Sequence, residues 1–249
     1  MTLNFVIAPD FPPERFGGWH MLNTLLQKST GLGIRLLTPA SHDEQRALIE
    51  QGSVDIMFAN PFDSAPLVRK KGYRAFARPI SKSNEMVIVT GEKSTYKEVE
   101  DLKPGCRIAV TDNKDVKLIG LRLLEPADLT ESDVQWLPVD SYQAAARAAI
   151  KGEVEASFFL ADAYHSLSKL THSQLRVLVE SHIADISHVF LGSPGAAEQV
   201  PAIRDALLAM TGAGSGQSTL DELGFNAGFE AIDEESMEFM IDLMETLLD

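Results

Sequence analysis

The chain has 249 residues, 45% of them hydrophobic and 23% charged, which is ordinary globular composition and enough for one large core or two small domains. Its formal net charge of −14 argues against nucleic acid as a partner, because nucleic-acid binding needs a basic face. No apolar stretch reaches the ~18–20 residues that span a bilayer.

The N-terminal segment "MTLNFVIAPD" has no basic stretch followed by an apolar run. No signal peptide is visible, so the chain reads as cytoplasmic or as the mature part of an exported protein. "LNFVIAPD" is a short apolar run closed by Pro9 and is predicted as a strand. "GGWHMLNTLLQKSTG" follows as a helix, with Trp19, Leu22, Leu25 and Leu26 at helical spacing and Gly31 as its stop. Trp19 is in phase with those leucines and reads as core. "IRLLTPAS" is the second strand. Ser41 then caps a helix, with Glu44 three residues on as a capping box, and that helix ends at Gly52. "VDIMFAN" is the third strand, "SAPLVRKKG" a short helix and "YRAFARP" the fourth strand.

The same order then recurs. "SHDEQRALIEQGSVDIMF" begins at Ser41 and "SYQAAARAAIKGEVEASF" begins at Ser141. Gly52 matches Gly152, Val54 matches Val154, Asp55 matches Glu155 and Phe58 matches Phe158. "RIAV" is the first strand of this second copy, followed by a helix through Leu118, Leu121 and Leu124. "VQWLPVDS" is a strand and turn, Ser141 caps the next helix, and that helix runs to Gly152. "VEASFF" is a strand, "DAYHSLSKL" a helix and "LRVLV" a strand. Alternating strands and helices imply parallel sheets covered by helices, so the duplication predicts two similar α/β lobes.

The last third of the chain is less regular. "TGAGSGQS" has no strand before it and no Lys after it. It fits neither the dinucleotide-binding nor the phosphate-loop pattern and reads as a flexible linker. From Gln217 to Asp249 there are ten Asp and Glu and no Lys or Arg. This stretch reads as a helix with a solvated acidic face and with Met237, Met240, Leu243, Met244 and Leu247 packed inward. Most of the net charge therefore sits in the tail, and the rest of the chain does not exclude an anionic ligand.

Open parallel sheets bind ligands beyond the carboxyl ends of their strands, where helix N-termini offer unpaired N–H groups. In the first lobe those loops are Pro9–Gly18, which holds Asp10, then Thr38–His42 and Asn60–Ser64. In the second they are Thr111–Lys117, Pro138–Tyr142 and Leu160–Tyr164, which holds Asp162. Two lobes facing by these ends would form a ligand cleft.

Each candidate residue also has a plainer reading. Asn60, Phe62, Asp63 and Ser64 are cleft contacts or an ordinary turn with an Asp cap. Ser41 and Ser141 are caps first and ligand contacts second. Tyr142 and Tyr164 close over a ligand or pack on the surface. The six His residues show no metal spacing, so no metal site and no cofactor are expected. Cys106, the only cysteine, stands at the entry to an apolar strand and reads as a buried thiol.

Several segments resemble the phosphate/phosphonate-type solute-binding proteins of ABC transporters. They are "GSVDIMFANPFDSAPLVRKKGYRAFARP", "SYQAAARAAIKGEVEASFF", "DLKPGCRIAV" and "LGFNAGFEAIDEESMEFMIDLMETL", in that order over nearly the whole chain. The resemblance implies an α/β fold of two similar parallel-sheet lobes joined by a two-strand hinge, the type II periplasmic-binding fold. Lobe one would be 1–86 plus 182–249 and lobe two 87–181, with crossings near Glu85–Val89 and Glu180–Asp185. Lobe closure on a ligand would follow. It implies a periplasmic location and, as partners, a small-molecule ligand and an ABC permease or a sensor protein.

This sequence departs from that pattern at the ligand loops. Members that bind phosphonates carry a Ser/Thr-rich loop where "TDNKDVK" stands here. Thr111 and Asn113 are the candidate donors in it. Asp112 and Asp115 would repel a dianion unless they point away or Lys114 and Lys117 compensate. Tyr142 stands where the family often has His. Leu160 stands near the place of an acidic residue that contacts amino groups in some members.

The leading expectation is a solute receptor of an ABC transporter, not an enzyme, that closes its lobes on a small polar solute such as a phosphate- or phosphonate-like oxyanion. Two alternatives are a cytoplasmic enzyme on the same fold, as in menaquinone synthesis, with Asp63, Asp112 and His42 as candidate groups, and a degenerate receptor domain that signals to a partner protein.

Overall fold

The computed structural model describes residues 2–9, 15–212 and 214–248, the side chains of 247 and 248 excepted. Asp10 and the Leu247 side chain therefore lie outside the described residues. The chain divides into two compact units, Met1–Lys82 with Asp185–Glu245, and Ser83–Ala184 with Thr246–Asp249.

Unit one opens with β1 (Thr2–Ile7), α1 (Phe16–Thr30), β2 (Gly33–Leu37), α2 (His42–Glu50), β3 (Ile56–Ala59), α3 (Pro61–Lys71) and β4 (Arg74–Pro79). Unit two carries β5 (Met86–Gly91), β6 (Arg107–Val110), α4 (Lys114–Leu123), β7 (Gln135–Pro138), α5 (Tyr142–Lys151), β8 (Ala156–Leu160), α6 (Ala161–His165), α7 (Lys169–His172) and β9 (Leu175–Glu180). The rest of the chain forms β10 (Val189–Gly192), α8 (Val200–Leu208), α9 (Gly214–Leu223), β11 (Phe229–Glu230) and α10 (Glu234–Leu248), which belong to unit one as far as Glu245.

The two sheets share one plan. Unit one orders its strands β11-β4-β10-β3-β1-β2, and unit two orders them β7-β6-β8-β5-β9. In each, the first strand of the repeat lies parallel to the second and third, β1 with β2 and β3, and β6 with β7 and β8. In each, an antiparallel strand separates the third strand from the fourth: β10 between β3 and β4, and β5 between β8 and β9. The sheets are thus mixed, whereas alternation of strand and helix predicts all-parallel ones. The antiparallel strands lie outside the repeated segment. Each is the first strand laid down after the chain crosses from one unit to the other. Met86 is the first residue of β5 and pairs with Leu160 of β8, inside the second sheet.

Side chains alternate between two core layers, as a sheet covered on both faces requires. Leu3, Phe5 and Ile7 pack with Trp19, Leu22 and Leu26 on one face of the first sheet, while Val6 packs with Met57, Met237 and Met240 on the other. Trp19 is fully buried, as its phase with the leucines implies. In the second sheet Met86 and Ile88 face one cluster and Val87 and Val89 the other.

The repeated residues perform the same tasks twice. Ser41 and Ser141 both cap, accepting from Glu44 N and Ala144 N at 3.2 Å. Gly52 and Gly152 both sit in the left-handed region, at φ 67 and 70, a conformation that costs other residues about 1–2 kcal/mol. Asp55 accepts the N–H of Asn4 at 2.8 Å, and Glu155 accepts the N–H of Arg107 at 2.6 Å. Each acid thus holds the neighbouring first strand at its start. Glu155 also takes the Arg107 guanidinium at 2.8 Å.

Two readings from sequence are corrected. The glycine-rich "TGAGSGQS" is not a linker, because α9 starts at Gly214. A Cβ on Gly216 would stand 2.4 Å from the Met210 carbonyl. The glycine permits this close approach, and burial of Thr219, Leu220 and Leu223 outweighs the poor helix propensity. Glu44 does not complete a capping box on Ser41, since its carboxylate takes the N–H of Ala40 at 2.7 Å.

Glu85 ties the crossing segments together. Its carboxylate accepts from Ser181 Oγ and from Ala184 N, and Ser181 Oγ accepts from Met86 N at 2.9 Å. Burial would raise its pKa, but the bonds from Ser181, Ala184, Ile183 and Ser83 outweigh burial and lower it. The Glu155 pKa is lowered chiefly by its side-chain bond to Arg107. A depressed folded pKa gives stability that is complete above the unfolded value, about 4.3, and is lost as pH falls through the folded one. Glu155→Gln is expected to cost about 1.5–3 kcal/mol at pH 7, the range for a hydrogen bond to a charged group. It should also flatten the acid limb of a stability–pH profile measured by urea unfolding; an unchanged limb would contradict this role.

Candidate functional site

The helices α1, α2 and α3 follow β1, β2 and β3 at the carboxyl end of the first sheet. The helices α4, α5 and α6 follow β6, β7 and β8 at the carboxyl end of the second. Helix N-termini collect there because parallel strands must each be followed by a crossover.

In unit one the loop after β3 is fixed from within. Asn60, 4% exposed, caps α3 by accepting from Asp63 N at 2.7 Å. Ser64 N bonds to Asn60 O, and Pro61 has no N–H to give. The Ser64 hydroxyl donates to Pro61 O at 2.7 Å and is fully buried, so it belongs to the interior of the turn. Phe62 is half-buried. Asp63 reaches across to α2, where its carboxylate accepts from Gln45 Nε2 at 2.6 Å and stands 3.7 Å from His42 Nδ1. The Asp63 side chain remains 22% exposed, so it can meet a solute. Ser41, His42, Asn60 and Asp63 thus converge at one end of this sheet.

Unit two is arranged differently. Asn113 caps α4, accepting from Val116 N at 3.1 Å. Asp115 does not face solvent: it is 2% exposed and accepts from Asn84 Nδ2 at 3.2 Å. Asp112 and Lys114 are exposed. Lys117 is engaged by Glu131 at 2.5 Å and lies 4.7 Å over the Trp136 ring. The Oγ1 of Thr111 is buried, and among the described residues no hydrogen-bond partner reaches it. Ser141 caps α5, whose first turn carries no acid. Tyr142 is half-buried and stacked on Phe159 with ring centres 5.5 Å apart. Asp162 is exposed in the first turn of α6. Tyr164 lies in the core, 2% exposed, with its ring against Phe159 and His172. Its phenol pKa is raised by burial and then by the Glu180 charge.

Cys106 is 7% exposed, and burial followed by the nearby Glu155 charge pushes its thiol pKa up. That environment suppresses the thiolate a nucleophile needs. Among the described residues no three His, Cys, Asp or Glu are grouped to hold a metal ion. No described helix is long and apolar enough to cross a membrane.

Gln45, Asn84 and Ser187 are residues that sequence reasoning passes over. Gln45 shares the α2 face of His42, three residues on, which was the one available signal. Ser187 is 2% exposed, and among the described residues nothing bonds its hydroxyl. It stands two residues before Val189, which pairs with Ala59 at the end of β3. A separate groove of about 500 Å³ lies between α1 and α9, lined by His20, Met21 and Leu25 and by Ser215 and Ser218. None of the strand-end candidates borders it.

Residues 5–237 match the family described as the periplasmic substrate-binding protein of the phosphonate ABC transporter. The chain belongs to that family of transporter substrate-binding proteins. Its fold is similar to PhnD1 from Prochlorococcus marinus, solved in complex with methylphosphonate, at TM-score 0.81 and 11% identity, covering 99% of this chain and 98% of that one. It is also similar to a phosphonate-transporter binding protein from Pseudomonas aeruginosa, at TM-score 0.73 and 14% identity, covering 100% and 89%. The periplasmic aliphatic sulphonate-binding protein SsuA from Escherichia coli is similar at TM-score 0.62 and 18% identity, covering 98% and 87%. No curated protein sequence matches this chain. The fold is therefore that of the type II periplasmic-binding proteins.

The Asn60 cap is the device that orients Asp63, so its loss has a measurable cost. Asn60→Ala is expected to lower stability by about 1–2 kcal/mol, the range for an N-cap that also leaves a buried donor unmet. Urea unfolding at neutral pH measures it, and a change below about 0.3 kcal/mol would show that the cap does not hold the loop.

Proposed function

We propose that this chain is the solute receptor of an ABC import system and that it takes a small polar solute with an anionic group. Contacts come from strand-end loops. The observation that carries this reading is the start of α5 in a chain of this family. Its first turn has no carboxylate, and the Ser141 hydroxyl caps it by accepting from Ala144 N. A helix start free of acids favours an anion by its dipole.

The partner is the permease of the transport system, and the location is the periplasm of the family. Binding is favoured over catalysis because the candidate groups form no nucleophile–base pair. His42 and Asp63 face each other with Gln45 between α2 and α3, and Asp112 lies in the other unit.

Thermal unfolding of the purified protein tests the proposal with phosphate, phosphite, methylphosphonate, 2-aminoethylphosphonate, sulfate and ethanesulfonate. A solute present at about 100 times its Kd stabilises by about 2.7 kcal/mol, a rise of several degrees for a chain of this size. At least one phosphonate or sulfonate is expected to give that rise, saturably. No rise with any of them would contradict the receptor reading for oxyanionic solutes.

A further inference from the structure

Among the described residues three that are not glycine stand in the left-handed region: Ser81 at φ 53, Asp128 at φ 55 and Ala184 at φ 62. An L-residue reaches that region at a cost, because its Cβ crowds the following carbonyl oxygen, and Asp tolerates it better than Ser or Ala. Asp128 ends the single turn of 3-10 helix at Glu125–Ala127, where a left-handed residue is ordinary. The other two stand elsewhere. Unit one runs to Lys82 and unit two from Ser83 to Ala184, so Ser81 and Ala184 lie beside the crossings at 82–83 and 184–185. Both side chains are exposed, so no packing offsets the cost. Strain of this kind persists where neighbouring structure imposes it, and it collects at segments that switch.

For Ala184 the group that imposes the strain is visible. The Ala184 N–H donates to Glu85 Oε1 at 2.6 Å, and the other carboxylate oxygen of Glu85 takes the Ser181 hydroxyl. Glu85 cannot follow Ala184, because its own carbonyl accepts from Ala161 N at 2.8 Å, at the head of α6. Met86, next in the chain, is fully buried. Ser181 is fixed as well: its Oγ accepts from Met86 N and its N–H donates to Met86 O, each at 2.9 Å. All of these groups lie in unit two. The carboxylate thus reaches from a rigid base to the last residue before the crossing, and a charged acceptor makes the stronger kind of hydrogen bond.

We propose that the Glu85 carboxylate is a latch: it holds Ala184 in the left-handed setting, and its release lets the chain turn at 184–185 into an unstrained one. The use of this device rests on the receptor reading above. A solute's apparent affinity scales with the fraction of the protein already in the setting that takes it. Glu85 is therefore a positioning residue, and it tunes affinity without touching the solute.

Double electron–electron resonance on the full chain without added solute tests it. Nitroxides go on Lys28→Cys in unit one and Lys151→Cys in unit two, both exposed positions, in a Cys106→Ala background. Glu85→Gln, which keeps the shape and removes the charge, is expected to move the distance distribution away from that of the unaltered crossing. Adding Ala184→Gly should bring it back, because glycine takes the left-handed setting with no latch. Each change shifts the balance between the two settings by about 10-fold, which is what the left-handed cost amounts to. Asp128→Gly relieves the same kind of strain away from the crossings and should not bring the distribution back. Ala184→Val places a branched side chain in solvent and disfavours the left-handed region, so it should act like Glu85→Gln and serves where that variant does not fold. An unchanged distribution in folded Glu85→Gln or Ala184→Val, or equal rescue by Asp128→Gly, would overturn the inference. The receptor reading is tested with added solutes and the latch with the chain alone, so each can fail while the other stands.

Discussion

Each sheet is completed by a strand that arrives from the other half of the chain. All six residues of β5 are buried, as are all four of β10, and each sits between strands that the repeat itself provides. Neither unit can close its sheet without first receiving the crossing segment. The strand-end loops depend on this insertion. β10 fixes the end of β3, where Asn60 caps α3. β5 fixes β8, which leads into α6. Glu85 and Ser181 then join the two crossings by hydrogen bonds beside Met86, so the point of entry into the second sheet is itself tied down.

What the sequence made legible was whatever recurs at short range. Ser41 and Ser141 as caps, Gly52 and Gly152 as left-handed turns, and Phe58 and Phe158 as core are local features repeated at fixed spacing, and the structure carries both copies. β5 and β10 belong to no repeat, so a reading built on the duplication passes them by, although "MVIVTG" is a continuous apolar run. Gly214 to Ser218 read as a linker because helix propensity is local, while the packing of Gly216 against Met210 is tertiary. The candidate loops were located from strand ends. Which side chains within them face outward was not legible: Ser64 and Asp115 turn inward to Pro61 O and Asn84, and Tyr164 enters the core. Gln45 enters through a contact eighteen residues away in sequence.

The most direct test of the account is hydrogen exchange, read by mass spectrometry, with and without the tightest-binding of the phosphonate and sulfonate probes at saturation. The account predicts slow exchange over Met86–Gly91 and Val189–Gly192 in both states, with new protection on binding at Ser141–Ala144 and at Asn60–Asp63. Protection appearing instead along the α1/α9 groove, or fast exchange in β5 or β10, would contradict it.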